Sequence, residues 1–188
     1  MIPRFRSLPL LLLALLAACD DPNALPNATI INVMDTVTLW SLEGGPLDQP
    51  SAYSLNARAG VRTWEAGRNY EFIYSVDSVG GSYLLPLYAA GLGNPNALLP
   101  GLKPSSDPFD QMIKAPQNDY ITSKPITVTE GERYYLRTGI NTCAALGVPL
   151  YGKIELLDID TLAETITFRA VTDQNCGYRG LRLGIPGS

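Results

Sequence analysis

Two segments near the C-terminus constrain the fold more than any other part of the chain. Tyr151 to Ile159 and Thr165 to Ala170 alternate apolar and polar side chains, with the polar stretch Asp158 to Glu164 connecting them. Period two puts Ile154 and Leu156 on one face with Ile166, Phe168 and Ala170, and puts Lys153, Glu155, Thr167 and Arg169 on the other. The pair therefore reads as a half-buried hairpin whose outward charges can pair across the strands. The same period recurs in Asn69 to Val76, where Tyr70, Phe72, Tyr74 and Val76 share a face while Glu71, Ser75 and Asp77 share the other. Further strands are expected over 29–42, with a possible break at Asp35, and over 52–63. A hairpin is expected from Ile126–Thr129 and Arg133–Thr138, turning at Glu130-Gly131-Glu132. No internal repeat, heptad or amphipathic helix competes with this pattern. The class is all-β, an antiparallel β-sandwich or open barrel.

The middle is different. Residues 83–125 hold Pro86, Pro95, Pro100, Pro104, Pro108, Pro116 and Pro125 among many leucines. Proline cannot donate to a strand ladder, so short strands, an irregular loop and one helical turn near Asp107 to Lys114 are expected. Long loops in compact domains carry function more often than short ones, so a ligand groove would be sought between residues 83 and 120.

The first residues have another purpose. Arg4 and Arg6 precede the apolar run Leu8 to Ala18. Eleven residues suit a signal-peptide core and fall short of the ~20 that span a bilayer. Leu16-Ala17-Ala18-Cys19 resembles the lipobox of bacterial lipoproteins. That resemblance implies cleavage before Cys19 and lipidation of its sulfur. The expected organisation is a cleaved signal peptide (1–18), a lipidated cysteine with a flexible tether (19–28) and one β-rich domain (29–188). Acyl chains contribute ~0.8 kcal/mol per buried methylene, so two or three of them anchor a domain firmly in a lipid bilayer.

Two cysteines remain, Cys143 and Cys176. Export to an oxidising compartment favours their pairing. The coarse strand reading brings both past the same end of a three-strand meander.

Composition removes several functions. The chain has no histidine, so Ser-His-Asp and Cys-His catalysis and His-ligated zinc are excluded. Without Arg4 and Arg6, 12 basic residues face 18 acidic ones and no basic cluster exists, which argues against nucleic acid as a partner. Asp158 and Asp160 have the spacing of some calcium loops but lack the rest of the ligand pattern, so no metal site and no cofactor are expected. Asp107, Asp110 and Asp119 offer carboxylates for a glycosidase-like hydrolase only if two of them converge.

The order Tyr151-Gly152-Lys153-Ile154-Glu155-Leu156-Leu157, an acidic turn, then Thr165 to Val171 is similar to the closing hairpin of HmuY-like lipoproteins. Tyr70 to Asp77 resembles the aromatic strand before their long loop. The likeness implies a β-rich, surface-exposed lipoprotein. Haem binding in that family uses paired histidines, which this chain lacks. The expected function is a non-enzymatic binding or interaction module of the cell envelope, held on the extracytoplasmic side of a bacterial membrane. Its partner would be an envelope protein, a glycan or a small apolar ligand. The alternative is a structural subunit of an envelope or surface assembly. A closed cavity would favour the first, and a flat exposed sheet edge the second.

Overall fold

The computed structural model describes residues 24–67, 69–139 and 143–186. Cys19, the signal peptide and the start of the tether lie outside them. Ten strands form two antiparallel five-stranded sheets packed as a β-sandwich. The first sheet runs β1 (Met34–Trp40), β10 (Thr165–Asp173), β9 (Tyr151–Asp160), β8 (Arg133–Arg137), β6 (Gly101–Ser105). The second runs β3 (Ala59–Val61), β2 (Ala52–Ser54), β4 (Phe72–Val76), β5 (Ser82–Pro86), β7 (Ile126–Thr127).

The core lies between the sheets. Leu39, Leu102, Leu136, Ile154, Leu156, Ile166, Phe168 and Ala170 from the first sheet meet Tyr53, Phe72, Tyr74 and Leu84 from the second. The expected C-terminal hairpin is β9–β10, with the predicted inward residues in this core. Arg169 stands directly opposite Glu155 in the ladder, and Glu155 accepts from Arg133 Nε at 2.7 Å and Arg169 Nε at 2.6 Å. A register shift at Thr167/Phe168 marks a bulge in the same hairpin. Asp160 Oδ1 accepts from the backbone of Leu162 and Ala163, so this carboxylate shapes the turn.

Several expectations are corrected. Residues 126–138 do not form a hairpin. Ile126–Thr127 pairs with β5 in one sheet and Arg133–Arg137 pairs with β6 and β9 in the other. Val128 remains buried in the core, and Gly131 and Glu132 bond to Leu156 of β9, so the apparent turn is a crossing between sheets. Residues 52–63 split into β2 and β3 rather than one strand. β1 runs unbroken through Asp35, whose carboxylate is held bidentately by Arg58 at 2.8–3.0 Å from the β2–β3 turn. Residues 70–76 are buried on both faces. Loops over 61–66 and 87–92 cover the outer side of β4 and form a second cluster with Tyr70, Ile73 and Leu87.

The middle segment contributes β5, β6 and a 3-10 turn at Phe109–Gln111. Residues beyond that turn lie across the outer face of the first sheet, where Met112 and Ala115 pack on Tyr135, Tyr151 and Leu181. Lys153 reaches up from β9 to donate to the Phe109 carbonyl at 2.7 Å. Its ammonium and the Arg169 guanidinium each lie 4.3 Å from the centre of the Phe109 ring, a cation–π arrangement that fixes the segment to the sheet. Lys153 is consequently buried, although the alternation places it on the polar face.

Candidate functional site

Cys143 and Cys176 form a disulfide with a Cα–Cα distance of 5.8 Å, within the usual range for such bridges. It lies at the end of the sandwich where β8 leaves and β9 begins. Next to it the two ends of the domain are clasped. Asn175 Oδ1 accepts from the Thr29 and Ile30 amides at 2.8 and 3.0 Å, and its Nδ2 donates to the Ile30 carbonyl at 2.8 Å. The buried Asn32 side chain donates to the carbonyls of Gly180 and Arg182, and its backbone pairs with Gly184. Gly177 has φ +80°, and a Cβ there would come within 2.9 Å of the Leu25 side chain. Only glycine is comfortable in that backbone region and that space.

A cleft of about 170 Å³ opens near this same end. Its walls come from Asn56 in the β2–β3 turn, Asn69-Tyr70-Glu71 ahead of β4, Leu87, the loop Gly93 to Pro100, and Thr138-Gly139 after β8. Gln174 Nε2 donates to the Asn56 carbonyl at 2.7 Å, which ties the cleft wall to the strand that leads to the disulfide. Part of the segment expected to hold a groove, 87–100, does line it. Asp107, Asp110 and Asp119 do not. Asp119 instead pairs with Lys103 at 3.2 Å.

Glu71 is the carboxyl among the lining residues, and it is buried. Its backbone N–H donates to the Tyr53 carbonyl at 2.9 Å and its carbonyl accepts from Leu87 at 3.2 Å. The side chain is committed as well, since Oε2 accepts from the Leu55 amide at 2.6 Å. Desolvation raises this carboxyl to about 8, against the partial opposition of that amide. At neutral pH it is mostly a neutral acid, able to donate as well as accept. Comparison with family models, curated proteins and solved structures finds no match. The site is therefore described by its own chemistry alone. Among the described residues no group of three or more His, Cys, Asp or Glu could hold a metal ion.

Sequence reasoning assigned Glu71 to a solvated strand face. The signal that it is covered was Ile73, an aliphatic residue on that same face.

A second buried carboxyl, Asp173, accepts from the Asn175 amide and from Asn175 Nδ2 at 2.9 and 2.8 Å. Desolvation raises it from 3.8 to about 6. Both carboxyls have folded pKa values above the unfolded ones, so the folded state holds more protons in the intervening range and stability falls as pH rises through it. The Asp173 contribution is lost between about pH 4 and 6, and that of Glu71 between its ordinary 4.5 and about 8. Between pH 6 and 8 the Glu71 contribution dominates. Urea unfolding across that window is expected to show declining stability in the natural chain and a flatter profile in Glu71→Gln. Equal slopes in the two chains would show that Glu71 is not buried as a neutral acid.

Proposed function

We propose that this protein is a non-enzymatic binding module, lipid-anchored through Cys19 on the extracytoplasmic side of a bacterial membrane. Its ligand enters the cleft over Glu71. The observation that carries this reading is the mixed lining of that cleft. Asn56, Asn69, Asn94 and Glu71 are the polar residues of that lining other than Tyr70 and Thr138, and Leu87, Leu98, Leu99 and Pro100 form an apolar wall. Carboxamides and a neutral acid both donate and accept, which suits hydroxyl groups. An aliphatic wall suits the C–H face of a ring. The volume is below the ~300–1,000 Å³ of sites for drug-sized ligands, so the ligand class is small, neutral and polyhydroxylated, about one sugar residue of a glycan. A hydrolase would need a second carboxylate facing the first, and the described lining supplies only Glu71.

The structural-subunit alternative draws on the β1 edge. That edge has less to offer a partner strand, because Arg58 closes on Asp35, the Trp40 amide already donates to the Pro50 carbonyl ahead of β2, and the Leu42 amide just past β1 donates to Tyr74 of β4.

Native mass spectrometry of the chain, gently extracted from the membrane of an exporting cell, tests the proposal. A persistent added mass of one small neutral molecule is expected. It should vanish in Ala97→Trp, which fills the mouth of the cleft without touching the core. A natural chain that carries only its own protein and acyl mass, as Ala97→Trp does, would overturn the ligand-binding reading.

A further inference from the structure

We infer that the face around Ile31, Leu183 and Ile185 is a docking surface for the lipid bilayer, resting on the reading of Cys19 as the lipidated residue. The placement of these side chains follows from one bridge. Asn32 and Gly184 exchange both backbone hydrogen bonds, at 2.7 and 3.0 Å. The bridge brings the segment of Ile31 beside that of Leu183 and Ile185, while the Asn32 side chain is taken up by the Gly180 and Arg182 carbonyls. Ile31, Leu183 and Ile185 are 54, 60 and 57% exposed. Large aliphatic side chains clustered in water mark an interaction site.

What covers them follows from the chain itself. Leu25 is packed against Gly177, and Thr29 and Ile30 are clasped by Asn175. The first residue held against the domain is therefore no later than Leu25, six residues from Cys19. Six residues reach at most ~20–22 Å, so an acylated Cys19 holds this end of the sandwich beside the bilayer. The local charge fits a lipid surface as well. Around the Asn32–Gly184 and Lys114–Gly180 bridges, residues 29–34, 112–117 and 177–186 contain Lys114, Arg179 and Arg182 and no aspartate or glutamate, whereas Asp20 and Asp21 stand next to Cys19. Lys114 bridges to Gly180, and Arg182 directly precedes Leu183. Aliphatic side chains set among cations match an anionic membrane interface, and they add a second attachment to the acyl chains.

The full-length lipoprotein, reconstituted in vesicles of phosphatidylethanolamine and phosphatidylglycerol with brominated acyl chains, provides the test. Tryptophan fluorescence is compared between Ile185→Trp, Ile31→Trp and a control, Leu162→Trp, in the β9–β10 turn. Bromine quenching is expected to be several-fold stronger at positions 185 and 31 than at 162. Equal, weak quenching at all three sites in a chain whose mass carries the acyl groups would overturn the docking inference alone. A dimeric native mass accompanying that result would assign the face to a second copy instead. A mass without acyl groups would overturn the anchor reading, and the docking inference with it.

Discussion

Replacing Cys143 and Cys176 together by alanine is expected to lower the unfolding free energy by about 3–4 kcal/mol. The bridge closes a loop of 33 residues, and the loop-closure entropy it removes from the unfolded chain gives about that value. This is a large part of the 5–15 kcal/mol that usually separates folded from unfolded domains. Urea unfolding of the protein exported to a periplasm, with and without the two cysteines, measures it. The unfolded-state account predicts that the native clasp survives. The Thr29 and Ile30 amides, held by Asn175, should then keep their protection from hydrogen exchange relative to global unfolding. A loss below about 1 kcal/mol would contradict the loop-entropy account. Selective deprotection of those two amides would show that the bridge acts on the native state.

Phe168→Ala carries the second large expected effect, a loss of about 3–5 kcal/mol. Phe168 is fully buried on β10 and meets the opposite sheet through two rings. It packs edge-on against Tyr53 at 5.2 Å and tilted against Phe72 at 5.9 Å. Truncation removes the apolar transfer term, leaves a cavity and deletes both ring contacts, each worth ~0.5–1.5 kcal/mol. Exposed ion pairs such as Lys103–Asp119 sit in a lower class, ~0–1 kcal/mol. For a domain of this size the melting temperature should fall by roughly 6–20 °C. The dependence on urea concentration should stay the same, because the unfolded chain exposes a similar surface. A cost near 1 kcal/mol would mean that the two sheets do not meet through these rings.

How much of this was legible in the sequence depended on the range of the interaction concerned. Ile154, Leu156, Ile166, Phe168 and Ala170 declared their common face because an adjacent antiparallel pair needs only local alternation. The disulfide was legible from the export that the lipobox resemblance implies and from the direction of three consecutive strands. The segment 126–138 was misread because Glu130-Gly131-Glu132 has the composition of a hairpin turn. Only the long-range choice of β5 for Ile126–Thr127 and of β6 for Arg133–Arg137 reveals a change of sheet. Glu71 and Lys153 were misplaced for one shared reason. Alternation shows which side chains share a face, but not whether a distant loop covers it. For Lys153 the cover is Phe109, and for Glu71 it is Leu87 and the loop Gly93 to Pro100. The apolar face at Ile31 and Ile185 was invisible for a related reason. Its two halves come from opposite ends of the chain and are joined by the Asn32–Gly184 bridge.

The clasp at the tether also decides how the domain bears mechanical load. If the anchor is pulled while the cleft holds something fixed, the force enters at Thr29 and Ile30 and passes along β1. There seven residue pairs join β1 to β10 in one antiparallel ladder. Hydrogen bonds in such a ladder run across the strands. A pull along β1 therefore shears all of them at once and does not peel them one by one. The Asn175 and Asn32 contacts must also break before that ladder is strained. With the proposed anchor at Cys19, the domain would thus bear a tug on that end without unravelling from it.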